Sequence, residues 1–151
     1  MIHYIDLRVI AHSTEDPSRV RKALDFFLLN STDKRAESDI DDTVGVIDAE
    51  GHYGNSIKIF SAQVSRKQDS KALALFIRQN MSDEDVELLR SEMPERLDDE
   101  QVFYMRFDKQ AAFEGRVQLT SSSDAIATRV KIATYPKNRE KAGRIVEELF
   151  G

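Results

Sequence analysis

The sequence contains no cysteine. That excludes disulfides, thiolate catalysis and cysteine-rich zinc sites, and it fits a reducing cytosol. No apolar run approaches the roughly 20 residues that span a bilayer as a helix. The opening Met1-Ile2-His3-Tyr4-Ile5-Asp6 lacks the basic and apolar regions of a signal peptide, so a cytoplasmic location off the membrane is expected. HExxH, Walker A, GxGxxG and GxSxG patterns are missing, so nothing announces a catalytic or cofactor site. His3 and His12 fall on opposite faces of the first strand by parity, and His52 is remote in sequence, so a shared metal on one strand face is not expected. No repeat, low-complexity tract or Pro/Gly/Ser linker divides the chain, and residues 1–151 have the length of one ordinary domain.

What is present is charge and pattern. Charged residues make up 32% of the chain, above the usual quarter, and the net charge is −5. Its distribution is uneven. From Met81 to Glu100 nine acids face two arginines, whereas from Ala125 to Val146 six bases face Glu140 alone. A basic patch can exist on an acidic protein.

Alternation predicts a strand over Met1–His12, with Ile5, Leu7, Val9 and Ala11 on one face. Asp16-Pro17 is a helix start, and Val20, Ala23, Leu24, Phe27 and Leu28 form its core face. Asn30–Asp42 reads as a polar loop. Thr43–Glu50 and Ser56–Ser65 read as a hairpin around Gly51-His52-Tyr53-Gly54-Asn55. Within its second strand, Ile57 and Ile59 fall out of phase with Phe60, Ala62 and Val64, which suggests a β-bulge. Helices are expected over Lys71–Asn80, from a Ser82 cap to Pro94, and after an Asn138 cap. Gln101–Asp108 and Ile126–Thr134 read as strands. The pattern is an α+β single domain, with helices packed on one face of a largely antiparallel sheet.

Such a sheet can leave its other face to solvent, and parity assigns Tyr4, Arg8, Lys58, Tyr104, Arg106, Arg129 and Lys131 to that face. Arginine and lysine contact phosphates, and tyrosine stacks on bases. The alternative is a solvated face with ordinary ion pairs, into which Asp6 and Asp108 would fit. The hairpin tip, with His52, Tyr53 and Asn55, is a second candidate, although its glycines have a sufficient geometric reason. Asp98-Asp99-Glu100, with Asp39, Asp41 and Asp42, is the candidate for a Mg²⁺ site, but adjacent carboxylates do not converge on one ion without partners. No metal, cofactor or catalytic residue is therefore assigned.

Gly51-His52-Tyr53-Gly54-Asn55-Ser56-Ile57 and Arg106-Phe107-Asp108-Lys109-Gln110 resemble the GxYGNxI and RFDKQ segments of a family of small archaeal proteins. Ala112, Gly115, Leu119, Asp124-Ala125-Ile126 and Arg129-Val130-Lys131-Ile132 continue the likeness. That family is described as RNA-binding or as predicted exosome subunits, with a fold similar to the ribosomal protein that binds 5S ribosomal RNA. The resemblance implies a curved antiparallel sheet, an archaeal source and no catalytic mechanism. Ala125 stands where the family often has proline, and the acidic chain departs from a basic footprint. Two expectations follow. One is a non-enzymatic RNA-binding accessory protein, linked to RNA processing and holding RNA weakly and salt-sensitively through Arg8, His52, Tyr53, Asn55, Lys58, Tyr104, Arg106, Lys109, Arg129 and Lys131. The other is a protein-interaction module that forms a homodimer or docks through its sheet face or an edge strand.

Overall fold

A computed structural model describes residues 1–31, 43–51 and 54–151. In chain order its elements are β1 (Ile2–Ala11), α1 (Pro17–Leu29), β2 (Gly45–Glu50), β3 (Ser56–Val64), α2 (Lys67–Asn80), α3 (Asp83–Arg96), β4 (Val102–Phe107), α4 (Lys109–Phe113), β5 (Ile126–Ile132) and α5 (Arg139–Phe150). The strands form one antiparallel sheet in the order β2-β3-β1-β5-β4. Five helices pack against it. The expected α+β class is what the chain adopts.

Local chemistry accounts for most boundaries. Asp16 accepts the Ser18 N–H, and Pro17 opens α1 where its missing N–H costs nothing. Ser82 accepts the Asp85 N–H at the start of α3, and Asn138 accepts the Lys141 N–H at the start of α5. Asp108 caps α4 by accepting the Ala111 N–H. That short helix has no counterpart in the apolar periodicity, because one turn is too short to show a period. Pro94 lies inside the last turn of α3 rather than ending it, and α2 starts earlier than its apolar residues suggest.

Between sheet and helices lies one apolar core. Ile5, Leu7, Val9, Phe103, Met105, Phe107 and Val130 meet Leu24, Phe27, Leu73, Leu89 and Phe150 there. Phe27 packs on Phe107 at 5.2 Å and Phe103 on Phe150 at 5.6 Å between ring centroids. Burying each such side chain is worth about 1.5–3 kcal/mol, so this face fixes which way every strand residue points.

The expected bulge in β3 is not there. β3 pairs in unbroken register with β1 from Ile5↔Val64 to Ala11↔Lys58, and with β2 from Gly45↔Ser61 to Glu50↔Ser56. The phase conflict is resolved differently: Ile59 stays on the open face beside Ile10 and Ile47, making an aliphatic row there. The sheet's irregularity lies instead between Ile2 and Tyr4, where β1 meets β5.

One core group is at odds with its surroundings. Thr128 is fully buried, and its Oγ1 has no hydrogen-bond partner among the described residues. A buried, unpaired hydroxyl costs about 1–3 kcal/mol. The near-isosteric Thr128→Val is therefore expected to stabilise the fold by about 1 kcal/mol, raising the urea midpoint. A lowered midpoint would mean that the hydroxyl has a partner.

Candidate nucleic-acid interface

The open face is organised in rows that run across the strands. Register aligns Gly45, Ser61, Arg8, Ala127 and Arg106 in one row. The next row holds Gln63, Asp6, Arg129 and Tyr104. A third holds Tyr4, Lys131 and Val102. On the opposite side of the first row lie Ile10, Ile59 and Ile47.

Hydrogen bonding separates these rows. In the second, Gln63 Nε2 donates to Asp6 Oδ1 at 2.9 Å. The Arg129 guanidinium lies over the Tyr104 ring at 5.7 Å, and the Tyr104 hydroxyl donates to Asp98 Oδ2 at 2.9 Å. That bond to a carboxylate pushes the Tyr104 hydroxyl pKa up, with burial adding to it. In the third row the Lys131 ammonium is tied to the Glu100 carbonyl.

The first row is different. Arg8 and Arg106 are exposed, and among the described residues neither guanidinium has an ion-pair or hydrogen-bond partner. They stand two strands apart, about 10 Å between Cα atoms, with only the Ala127 methyl between them. Ser61 and Gly45 extend the low floor beyond Arg8. Two depressions meet over Ala127 and Arg129: one of about 490 Å³ reaching Thr43, the other of about 560 Å³ reaching Thr120, Ser121, Glu92 and Glu95. Together they make a trough across the sheet, with two unpaired guanidiniums over small side chains.

The expected site thus contracts. Arg8, Tyr104, Arg106, Arg129 and Lys131 share the open face, although Lys131 is tied down. Lys58 does not join them. It pairs with Ala11, on the helix-facing set, and its ammonium bonds Asp48 at 2.8 Å. Its assignment to the open face assumed the bulge that β3 lacks. Lys109 is also elsewhere, 11% exposed, donating to the Ile10 carbonyl at 2.9 Å, Glu15 at 2.8 Å and Asp124 at 3.0 Å. Parity could not place it, because it opens a helix rather than continuing β4. Asn55 sits in the hairpin, where its carbonyl accepts the Gly51 N–H and Gly54 takes φ of 75°. His52 and Tyr53 lie outside the described residues. Gly45, Ser61 and Ala127, the floor of the trough, carry no chemistry of their own and left no sequence signal beyond the outward parity of Ala127.

The acidic candidates have structural work. Asp98 accepts N–H groups of Glu100 and Val102 at 2.9 Å, turning the chain into β4. Desolvation pushes its carboxyl up, but these bonds and Tyr104 outweigh that and hold it below the usual range. Asp99 faces Arg139 at 3.9 Å and Glu100 faces Lys137 at 3.4 Å. Asp39, Asp41 and Asp42 lie outside the described residues. Among the described residues, the group spaced to hold a metal ion is His12, Glu15 and Asp124, and the Lys109 ammonium already sits against both carboxylates.

A family model described as RNA binding matches residues 4–132. An RNA-binding protein of Pyrococcus abyssi is 32% identical over 147 residues, covering 97% of this chain and 92% of its own. An uncharacterised protein of Methanocaldococcus jannaschii is 34% identical over 154 residues, covering 100% and 99%. A crystal structure of a protein from Archaeglobus fulgidus superposes with a TM-score of 0.82 at 29% identity, over 99% of each chain.

Proposed function

The chain belongs to the RNA-binding family, and on that premise we propose that its open sheet face is where RNA is held. The observation that supports this reading is the Arg8–Ala127–Arg106 row. Two exposed guanidiniums without partners among the described residues flank a floor too small to obstruct a phosphate. Elsewhere on the face charge is largely cancelled or tied, so a polyanion gains most at this row. The Tyr104 ring, 39% exposed, lies two residues along the strand and offers a stacking surface.

RNA in this reading is single-stranded, because side chains on a sheet reach bases only when the bases are unpaired. Binding is non-catalytic and needs no cofactor. It is also modest, since two or three phosphate contacts must act against a net charge of −5. Fluorescence anisotropy with a labelled single-stranded oligoribonucleotide tests this. The log–log slope of affinity against salt is expected to be about −1.4 to −2, for two to three contacts. Undetectable binding at low salt would sink the proposal.

The family resemblance extends the reading to an accessory role in an RNA-processing assembly such as the exosome, in the cytoplasm. A second reading rests on β2. It is an edge strand with Val46 and Ile47 exposed on its two faces and no proline or lysine to protect it. Pairing with a second copy through that edge would join two sheets. Sizing chromatography tests it, with Ile47→Lys expected to convert a dimer to monomer; a wild-type monomer at high concentration removes it.

A further inference from the structure

The trough across the open face is chemically asymmetric. Its middle is mainly cationic, with Arg8, Arg106 and Arg129 beside Asp6, whose carboxylate accepts from Gln63. At its β4 end the lining changes to Glu92, Glu95, Arg96, Thr120 and Ser121. Glu92 is paired with Arg96 at 2.9 Å. Glu95 is exposed and has no ion-pair or hydrogen-bond partner among the described residues, although Arg106 lines the same depression. With Glu92 neutralised by Arg96, a continuous RNA strand that crossed the sheet would have to carry its next phosphate past the unpaired Glu95 carboxylate, against like charge. A strand that ended there would present hydroxyls instead.

An ionised carboxylate accepts hydrogen bonds and donates none. The RNA terminus that offers two adjacent donors is the 3′ end, with its free 2′,3′-diol. Internal riboses offer a single hydroxyl, and a 5′ end offers phosphate or one isolated hydroxyl, neither of them a vicinal pair. Acidic side chains serve the same purpose on ribose hydroxyls in dinucleotide-binding folds. Resting on the RNA reading of this face, we propose that the trough takes the 3′ end of single-stranded RNA. Arg8 and Arg106 hold the last phosphates, and Glu95 accepts the terminal diol. Thr120, whose hydroxyl accepts the Ser122 N–H, and Ser121 complete the polar lining. The depression that runs from Arg106 and Ala127 to this end holds about 560 Å³, within the range of small-ligand pockets, which suits a terminal nucleotide.

The test compares 5′-labelled decaribonucleotides of one sequence ending in a 2′,3′-diol, a 3′-phosphate or a 2′-deoxy 3′-hydroxyl, at low salt. The diol is expected to bind about tenfold tighter than the 3′-phosphate, with the deoxy end between them. E95Q should erase most of that difference, and E95K should reverse it in favour of the 3′-phosphate. Circular dichroism of both variants, altered at an exposed helical position, should match wild type. Equal affinity of wild type for all three ends overturns end recognition while leaving RNA binding on this face intact. Unchanged discrimination in folded E95Q overturns the role of Glu95. No binding of any of the three overturns the RNA reading itself, and this inference with it.

Discussion

Replacing Arg8 and Arg106 together by alanine is expected to lower affinity for single-stranded RNA about a hundredfold at low salt, and each single replacement about tenfold. Each removed contact should also flatten the salt slope by about 0.7. The reasoning is local. These two guanidiniums flank Ala127 without partners among the described residues, so none of those residues loses a bond when they go. Thermal unfolding of the variants should therefore coincide with wild type. Arg129→Ala should have a smaller effect, because Arg129 already lies on Tyr104. Lys58→Ala should have none, because Lys58 is on the other side of the sheet with Asp48. Wild-type affinity in the double variant would place RNA elsewhere on the molecule.

Lys109→Met is expected to do the opposite: to destabilise the fold by about 2 kcal/mol and leave RNA affinity of the folded protein unchanged. The Lys109 ammonium joins the end of β1, the turn before α1 and the loop before β5 through Ile10, Glu15 and Asp124. Removing one member of a buried ion cluster costs about 3–5 kcal/mol. The two carboxylates here keep partial contact with water, at 32% and 50% exposure, so the effect is discounted. Urea unfolding should show a lower midpoint with an unchanged slope.

The pH dependence has a definite sign. Desolvation pushes the Asp124 carboxyl up, but the Lys109 ammonium and then His12 bring it below its ordinary range. A carboxyl depressed in the folded state contributes stability above its unfolded pKa and loses it as pH falls through the folded one. The difference between wild type and Lys109→Met should therefore shrink below pH about 4. Weakened RNA binding with unchanged stability would instead make Lys109 an RNA contact.

The sequence by itself determined the strands and helices with a repeating apolar face, and it determined their caps. Asp16, Ser82 and Asn138 act on N–H groups two or three residues away, so local pattern suffices. It also determined that Arg8, Tyr104, Arg106 and Arg129 turn away from the core, because their neighbours Leu7, Met105, Phe107 and Val130 are buried. The short α4 was legible only as its Asp108 cap. Left-handed Gln101, with φ of 63°, gave no local signal, because it is stabilised by distant partners: its side-chain amide bonds Ile132 and Thr134 and accepts the Asn138 N–H.

Tertiary structure decided what parity could not reach. Strand order placed β5 between β1 and β4, which set Arg8 and Arg106 on either side of Ala127 although 98 positions separate them in sequence. Unbroken pairing on both sides of β3 sent Lys58 behind the sheet and Ile59 to its front, because two ladders of hydrogen bonds outweigh one strand's apolar phase. The same packing tied Lys131 and Lys109 to protein carbonyls and carboxylates. Sequence gives the direction of a side chain through its neighbours along the strand. Whether its charge is free depends on groups brought beside it from elsewhere in the chain.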